Sequence, residues 1–214
     1  MPVRASSSLS RRAVIRLATG VAAGLLVGEG AYGTFYERHH LGVTRADVPC
    51  AGLPPALDGL RVGLITDTHY STFTSLDFIA QAVDLLRAET PDLVVLGGDY
   101  VTQQNRAFIP DAARPFSRLR PAHGIFAVLG NHDDRVHVPR ALRRAGAIVL
   151  DDARTRIGIR GEAVDLIGVN YWTRSASDIG RLAKGHAPFS ILLAHDPRRL
   201  REAVGTGIPL VLSG

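Results

Sequence analysis

Ile125-Phe126-Ala127-Val128-Leu129-Gly130-Asn131-His132-Asp133 joins five apolar residues to a glycine, an amide, an imidazole and a carboxylate. An unbroken apolar run of this length predicts a strand buried on both faces, the pattern of a parallel sheet. The polar groups follow at its carboxyl end, where open α/β sheets carry their sites.

The design recurs along the chain. Val62 to Ile65 precedes Asp67-Thr68-His69, Leu93 to Leu96 runs into Gly97-Gly98-Asp99, and Ile191 to Ala194 runs into His195-Asp196. A further run, Leu210 to Leu212, leads to Ser213-Gly214 and delivers no such group. Four strand ends carrying Asp, Asn or His point to one shared site rather than to unrelated solvent-facing loops.

The chain has 214 residues, 46% of them hydrophobic and 21% charged, enough for one folded domain of ordinary size with an appendage. Of the net charge of +5, residues 1–50 contribute +3, from six arginines against Glu29, Glu37 and Asp47, leaving +2 for the rest. A nucleic-acid binder holds its basic footprint within the folded domain, so nucleic acid is disfavoured as a partner. A single cysteine, Cys50, excludes an intrachain disulfide and a thiolate metal cluster.

At the amino end, Arg11-Arg12 precedes the uncharged run Leu17 to Val27 and looks like a twin-arginine export signal. The apolar stretch is shorter than the roughly 20 residues that span a bilayer. The expected organisation is a signal or membrane anchor over 1–27, a linker over 28–57 and a catalytic domain over 58–214. Export to the periplasm or the outer membrane face would make the twin-arginine machinery a partner, and a retained segment would associate with the membrane. His39-His40 reads as solvated linker.

Within the domain, Leu76, Ile79, Val83 and Leu86 share a helical face, and Thr74 with Asp77 has capping-box spacing. Strands at 61–66 and 92–96 around this helix predict a right-handed parallel crossover. Pro115 breaks a helical stretch over 108–119, and Pro139 and Gly146 bracket another helix. Short strands at 156–160 and 163–169 predict an antiparallel start to a second sheet. The helical pieces 178–184 and 197–204 and strands at 189–194 and 208–212 complete an α/β, two-sheet sandwich flanked by helices.

Asp67, His69, Asp99, Asn131 and His195 together offer carboxylate, amide and imidazole donors, a set suited to manganese, iron or zinc. Two ions 3.5–4 Å apart require a bridging carboxylate, for which Asp99 is the natural candidate. DTH at 67–69, GGD at 97–99, GNHD at 130–133 and the run ending at His195 resemble, in order, the motifs of the calcineurin-like metallophosphoesterases. The amino-terminal signal and the phrase from Leu60 to His69 resemble the exported bacterial branch typified by YkuE-like and YaeI-like phosphodiesterases. The resemblance covers residue 58 to the end.

It implies the metallo-dependent phosphatase fold and two divalent ions. Asp67 and His69 would ligate the first, Asp99 would bridge, and Asn131 with His195 would ligate the second. His132 would stabilise the transition state or protonate the leaving oxygen, with Asp133 orienting it. Metal-activated hydroxide would hydrolyse a phosphomonoester, phosphodiester or pyrophosphate. The export signal suggests an envelope lipid or sugar-nucleotide phosphate as substrate. The family pattern continues with GHxH. Leu212-Ser213-Gly214 matches its approach and the sequence stops at the glycine, so the expectation is a domain incomplete at its carboxyl end. The alternatives are a catalytically inactive remnant and a nuclease of the same superfamily.

Overall fold

In the computed structural model, which describes residues 40–214, period-two alternation sorts side chains into layers. Along β2 (Leu93–Leu96), Leu93 and Val95 enter one buried cluster while Val94 and Leu96 enter another. This strand lies between β1 (Val62–Ile65) and β3 (Ile125–Ala127), and β4 (Ala147–Val149) completes a sheet in the order β1-β2-β3-β4. Every pairing in it is parallel.

The second sheet begins with the antiparallel pair β5 (Ala153–Ile159) and β6 (Glu162–Val169), joined through Arg160-Gly161, and both turn residues have positive φ. Then β7 (Phe189–Ala194) and β8 (Leu210–Ser213) add in parallel, giving β5-β6-β7-β8. The antiparallel expectation holds for the first pair; the helical crossovers that follow return the chain in the same direction, so the sheet is mixed.

Leu93, Val95, Phe126 and Val128 meet Val164, Leu166, Ile191 and Leu193 between the sheets. Gly168 marks a tight approach, since a Cβ there would stand 2.2 Å from the Leu150 Cβ. Helix α1 (Leu76–Ala88), the short α2 (Ile109–Ala112) with a 3₁₀ turn at Arg114–Arg118, and α3 (His137–Arg144) cover the outer face of the first sheet. Helices α4 (Ala176–Ala183) and α5 (Arg199–Ala203) cover the second. The order is helix, sheet, sheet, helix.

Several boundaries differ from the sequence reading. Ser75 caps α1, its Oγ accepting from Phe78 N–H at 3.2 Å, so the helix starts one residue beyond the Thr74 box. Helix α5 begins at Arg199, because the Asp196 carboxylate folds back onto Arg198 N–H and holds Pro197-Arg198 as a turn. The segment read as linker contributes to the core: Leu57 is fully buried between the sheets, and Cys50 and Leu53 pack beside it. Val43–Gly214 forms one compact unit. The twin-arginine motif and its apolar run lie outside the described residues. Among the described residues no helix is long and apolar enough to cross a membrane.

Candidate metal centre

The loops after β1 and β2 run side by side beyond the strands. Asp67 N–H donates to Gly98 O at 3.0 Å, His69 N–H to Asp99 O at 2.9 Å and Tyr70 N–H to Tyr100 O at 2.9 Å. This extended pairing brings DTH against GGD. Three polar residues in it, Asp67, His69 and Asp99, have positive φ of 54°, 42° and 56°. Such a conformation costs a non-glycine residue on the order of 1 kcal/mol or more, and concentrations of it mark functional sites. Gly98, at φ +103°, lets this loop touch the next, for a Cβ there would lie 2.6 Å from Gly130 N.

Candidate ligand atoms of Asp67, His69 and Asp99 lie within 4.8 Å of one another. Asp99 is nearly buried, and its two oxygens divide their work. Oδ1 accepts His132 N–H at 2.8 Å, while Oδ2 faces His69 Nε2 at 3.5 Å and His195 Nε2 at 3.3 Å. His195 reaches this point from β7, and its Nδ1 donates to Gly97 O at 2.9 Å. That bond fixes the ring and aims Nε2 at the cluster, the arrangement metal-ligating histidines show.

Burial works against charge on His195, but the Asp99 carboxylate outweighs it and pushes the imidazole pKa up to about 9. Burial likewise opposes charge on Asp99, yet hydrogen bonds from His195 and from His132 N–H hold its pKa below the usual carboxylate value. A cation ligated by His195 Nε2 would take the place of a proton there. Asp67 is the solvent-facing donor, its Oδ2 accepting from Thr66 Oγ1 at 2.5 Å. Asn131 follows Gly130 on the β3 loop and is exposed. A Cβ at Gly130 would stand 2.0 Å from Asp99 Oδ1, so this loop closes directly on the bridge.

His132 lies edge-on to His69, ring centroids 4.9 Å apart. Its Nδ1 accepts Gln103 N–H at 3.0 Å, which leaves the ring proton on Nε2. The group fixing His132 is therefore a backbone amide rather than Asp133. The Asp133 carboxylate accepts from Asp99 N–H at 2.8 Å, Tyr100 N–H at 2.8 Å and Gly130 N–H at 2.9 Å. It ties the GGD loop to the GNHD loop, and burial pushes its pKa up to about 7 against those three donors. Gln103, at φ +50°, carried no motif signal; only the fold brings it to His132.

Two further histidines, His137 and His186, have structural partners. His137 bonds Asp134 at 2.8 Å, and His186 bonds the backbone of Ala187 and Thr206. Tyr100 is packing, the single proton of its buried hydroxyl shared between Leu96 O and Val128 O. Tyr70 packs on Phe108, whereas Trp172 remains partly exposed.

A two-sheet α/β sandwich with Asp, His and Asn at converging strand ends defines the metallophosphoesterase-fold class. Residues 60–211 match the calcineurin-like phosphoesterase family model, and the chain belongs to that family. It is 26% identical to the metallophosphoesterase YkuE of Bacillus subtilis, over 96% of this chain and 76% of that protein. It is 31% identical to the phosphodiesterase YaeI of Escherichia coli, over 61% of this chain and 53% of YaeI, so it spans about half of that relative. Among solved structures, the NAD nucleotidase NadN of Haemophilus influenzae superposes with a TM-score of 0.53 at 16% identity, over 72% of this chain and 38% of that one. A putative 5'-nucleotidase from Staphylococcus aureus gives 0.52 at 14% identity, over 72% and 44%. These two likenesses speak for the fold alone.

Proposed function

We propose that the protein is a dinuclear, divalent-metal-dependent phosphoesterase whose cations are held by Asp67, His69, Asp99, Asn131 and His195. The observation that carries this reading is the Asp99 carboxylate, with one oxygen fixed by His132 N–H and the other facing two imidazole Nε2 atoms. Oxygen and imidazole donors in this arrangement fit manganese, iron or zinc. Bound cations supply Lewis acidity toward the phosphoryl oxygens and lower the pKa of the attacking water.

The protein's own groups do the rest. Gly97 O and Thr66 Oγ1 orient His195 and Asp67, and Asp133 holds the two central loops in register. His132, with its proton on Nε2, donates to the oxygen leaving phosphorus. No covalent intermediate on the chain is needed. Support for the reaction class comes from the family and from YaeI, a phosphodiesterase by name.

Gly214 stands against the same groups. An ideal Cβ on it would lie 2.6 Å from both His195 Nδ1 and Thr66 Oγ1 and 2.9 Å from Asp67 Oδ2. Export, proposed from Arg11-Arg12, puts the substrate at the cell envelope, with a lipid or sugar-nucleotide phosphate as the expected class.

The test is hydrolysis of bis-p-nitrophenyl phosphate by the full chain with added manganese. His132→Gln lowers kcat by ~10²–10⁴, the usual contribution of a general acid, while leaving bound manganese in place. Turnover by the variant equal to wild type would remove His132 from the mechanism.

A further inference from the structure

Beside the cluster, the loop after β6 carries a platform that the reading above does not use. Asn170 bonds Asp151 and Asp152, Trp172 N–H donates to Asn170 Oδ1 at 3.0 Å, and Thr173 Oγ1 donates to Asp152 Oδ2 at 2.6 Å. So anchored, the loop sets the Tyr171 ring 5.9 Å from the His195 ring and 5.6 Å from the Trp172 ring. The Arg174 guanidinium lies 5.4 Å from the Tyr171 ring centre. Arg135, three residues past His132, places its guanidinium 4.9 Å from the centre of the Trp172 ring.

Neither arginine has a carboxylate within ion-pairing distance among the described residues. Asp151 and Asp152, the nearest acids in the loop's anchor, are engaged by Asn170 and Thr173. A guanidinium held against an aromatic face keeps its N–H edge for a planar or tetrahedral oxyanion, with little rotamer entropy left to lose. Two such groups, reached from His195 through Tyr171 and Trp172, lie on one flank of the centre as a bracket.

We infer that Arg135 and Arg174, seated on Trp172 and Tyr171, bind a second anionic group of the substrate, so that the substrate class is a phosphate ester bearing another phosphate on the same molecule. This rests on the phosphoesterase reading for the position of the scissile phosphate; the binding itself needs no turnover.

Trp172 is the only tryptophan in the chain, so its fluorescence reports on this flank directly. The full chain is titrated at constant ionic strength with fructose 1,6-bisphosphate and with fructose 6-phosphate. The bisphosphate binds on the order of tenfold tighter, as charge-assisted arginine contacts to phosphate imply, and in Arg135→Gln/Arg174→Gln the ratio falls to near one. Arg174→Gln alone gives an intermediate ratio and serves where the double variant melts early. Equal affinities in the wild type, or a preference that survives in the double variant, would overturn the inference. Absence of bis-p-nitrophenyl phosphate turnover beside a wild-type preference that the double variant loses would instead count against the catalytic reading and leave the bracket standing.

Discussion

Gly130→Ala tests whether the seat of Asp99 is set by the backbone of the next loop. The added methyl would lie 2.0 Å from Asp99 Oδ1 and 2.7 Å from both Asp99 Cγ and Asp99 N. Ordinary contact begins near 3.4 Å, so the loop or the carboxylate must give by more than 1 Å. The two loops must part to relieve the contact at Asp99 N, against the bond from Gly130 N–H to Asp133, and the carboxylate must move as well. Moving it breaks the 2.8 Å bond from His132 N–H and takes Oδ2 away from the two imidazoles. A displacement of about 1 Å at a reacting centre costs on the order of 100-fold in rate. Overpacking costs about 1–3 kcal/mol, which for a chain of this size lowers Tm by roughly 2–12 °C. The assay is kcat/KM for bis-p-nitrophenyl phosphate with manganese, read with Tm and manganese content. A variant that keeps kcat/KM within about threefold and its metal would refute the claim that this glycine seats the bridge.

Gly168→Ala should be purely a packing lesion, costing about 1–3 kcal/mol in urea unfolding, since its methyl would meet Leu150 and Val128 between the sheets; an unchanged midpoint would deny the close approach. Leu57→Ala should cost about 2–5 kcal/mol if residues before 58 belong to the folded unit, and a loss under 0.5 kcal/mol would return that segment to the linker. Asp165 has its pKa lowered chiefly by the hydrogen bond from Arg156, at 2.7 Å. A depressed folded value gives stability that is full above the unfolded pKa of about 3.9 and is lost as pH falls through the folded one. The stability gap between wild type and Arg156→Ala should therefore be wide at neutral pH and shrink as pH drops from about 5 toward 3. A gap that stays constant across that range would show that the pair contributes no charge-dependent stability.

Strand identity was legible because apolar runs such as Leu93–Leu96 and Phe189–Ala194 are buried on both sides, and their period-two sorting follows from the pleat. The gathering of Asp67, His69 and Asp99 was legible for the same reason: parallel strands in register deliver their carboxyl ends to one edge. His195, the least distinctive motif, proved to be among the best anchored, through a bond to Gly97 that spans the two sheets and leaves no trace in local sequence. The Asp133 contacts were hidden likewise. A carboxylate beside a histidine suggests an orienting pair, but the loop turns it inward to three backbone N–H groups whose need for an acceptor only the fold creates. Leu57 was lost among prolines that read as linker, although it enters the core with Cys50 and Leu53 packed on the same cluster.

Manganese bound per chain, measured on the purified protein and on Asp99→Ala after equilibrium dialysis, tests most directly whether this carboxylate organises a metal centre. At least one tightly held ion in the wild type and essentially none in the variant is the expected result; equal content in the two proteins would contradict it.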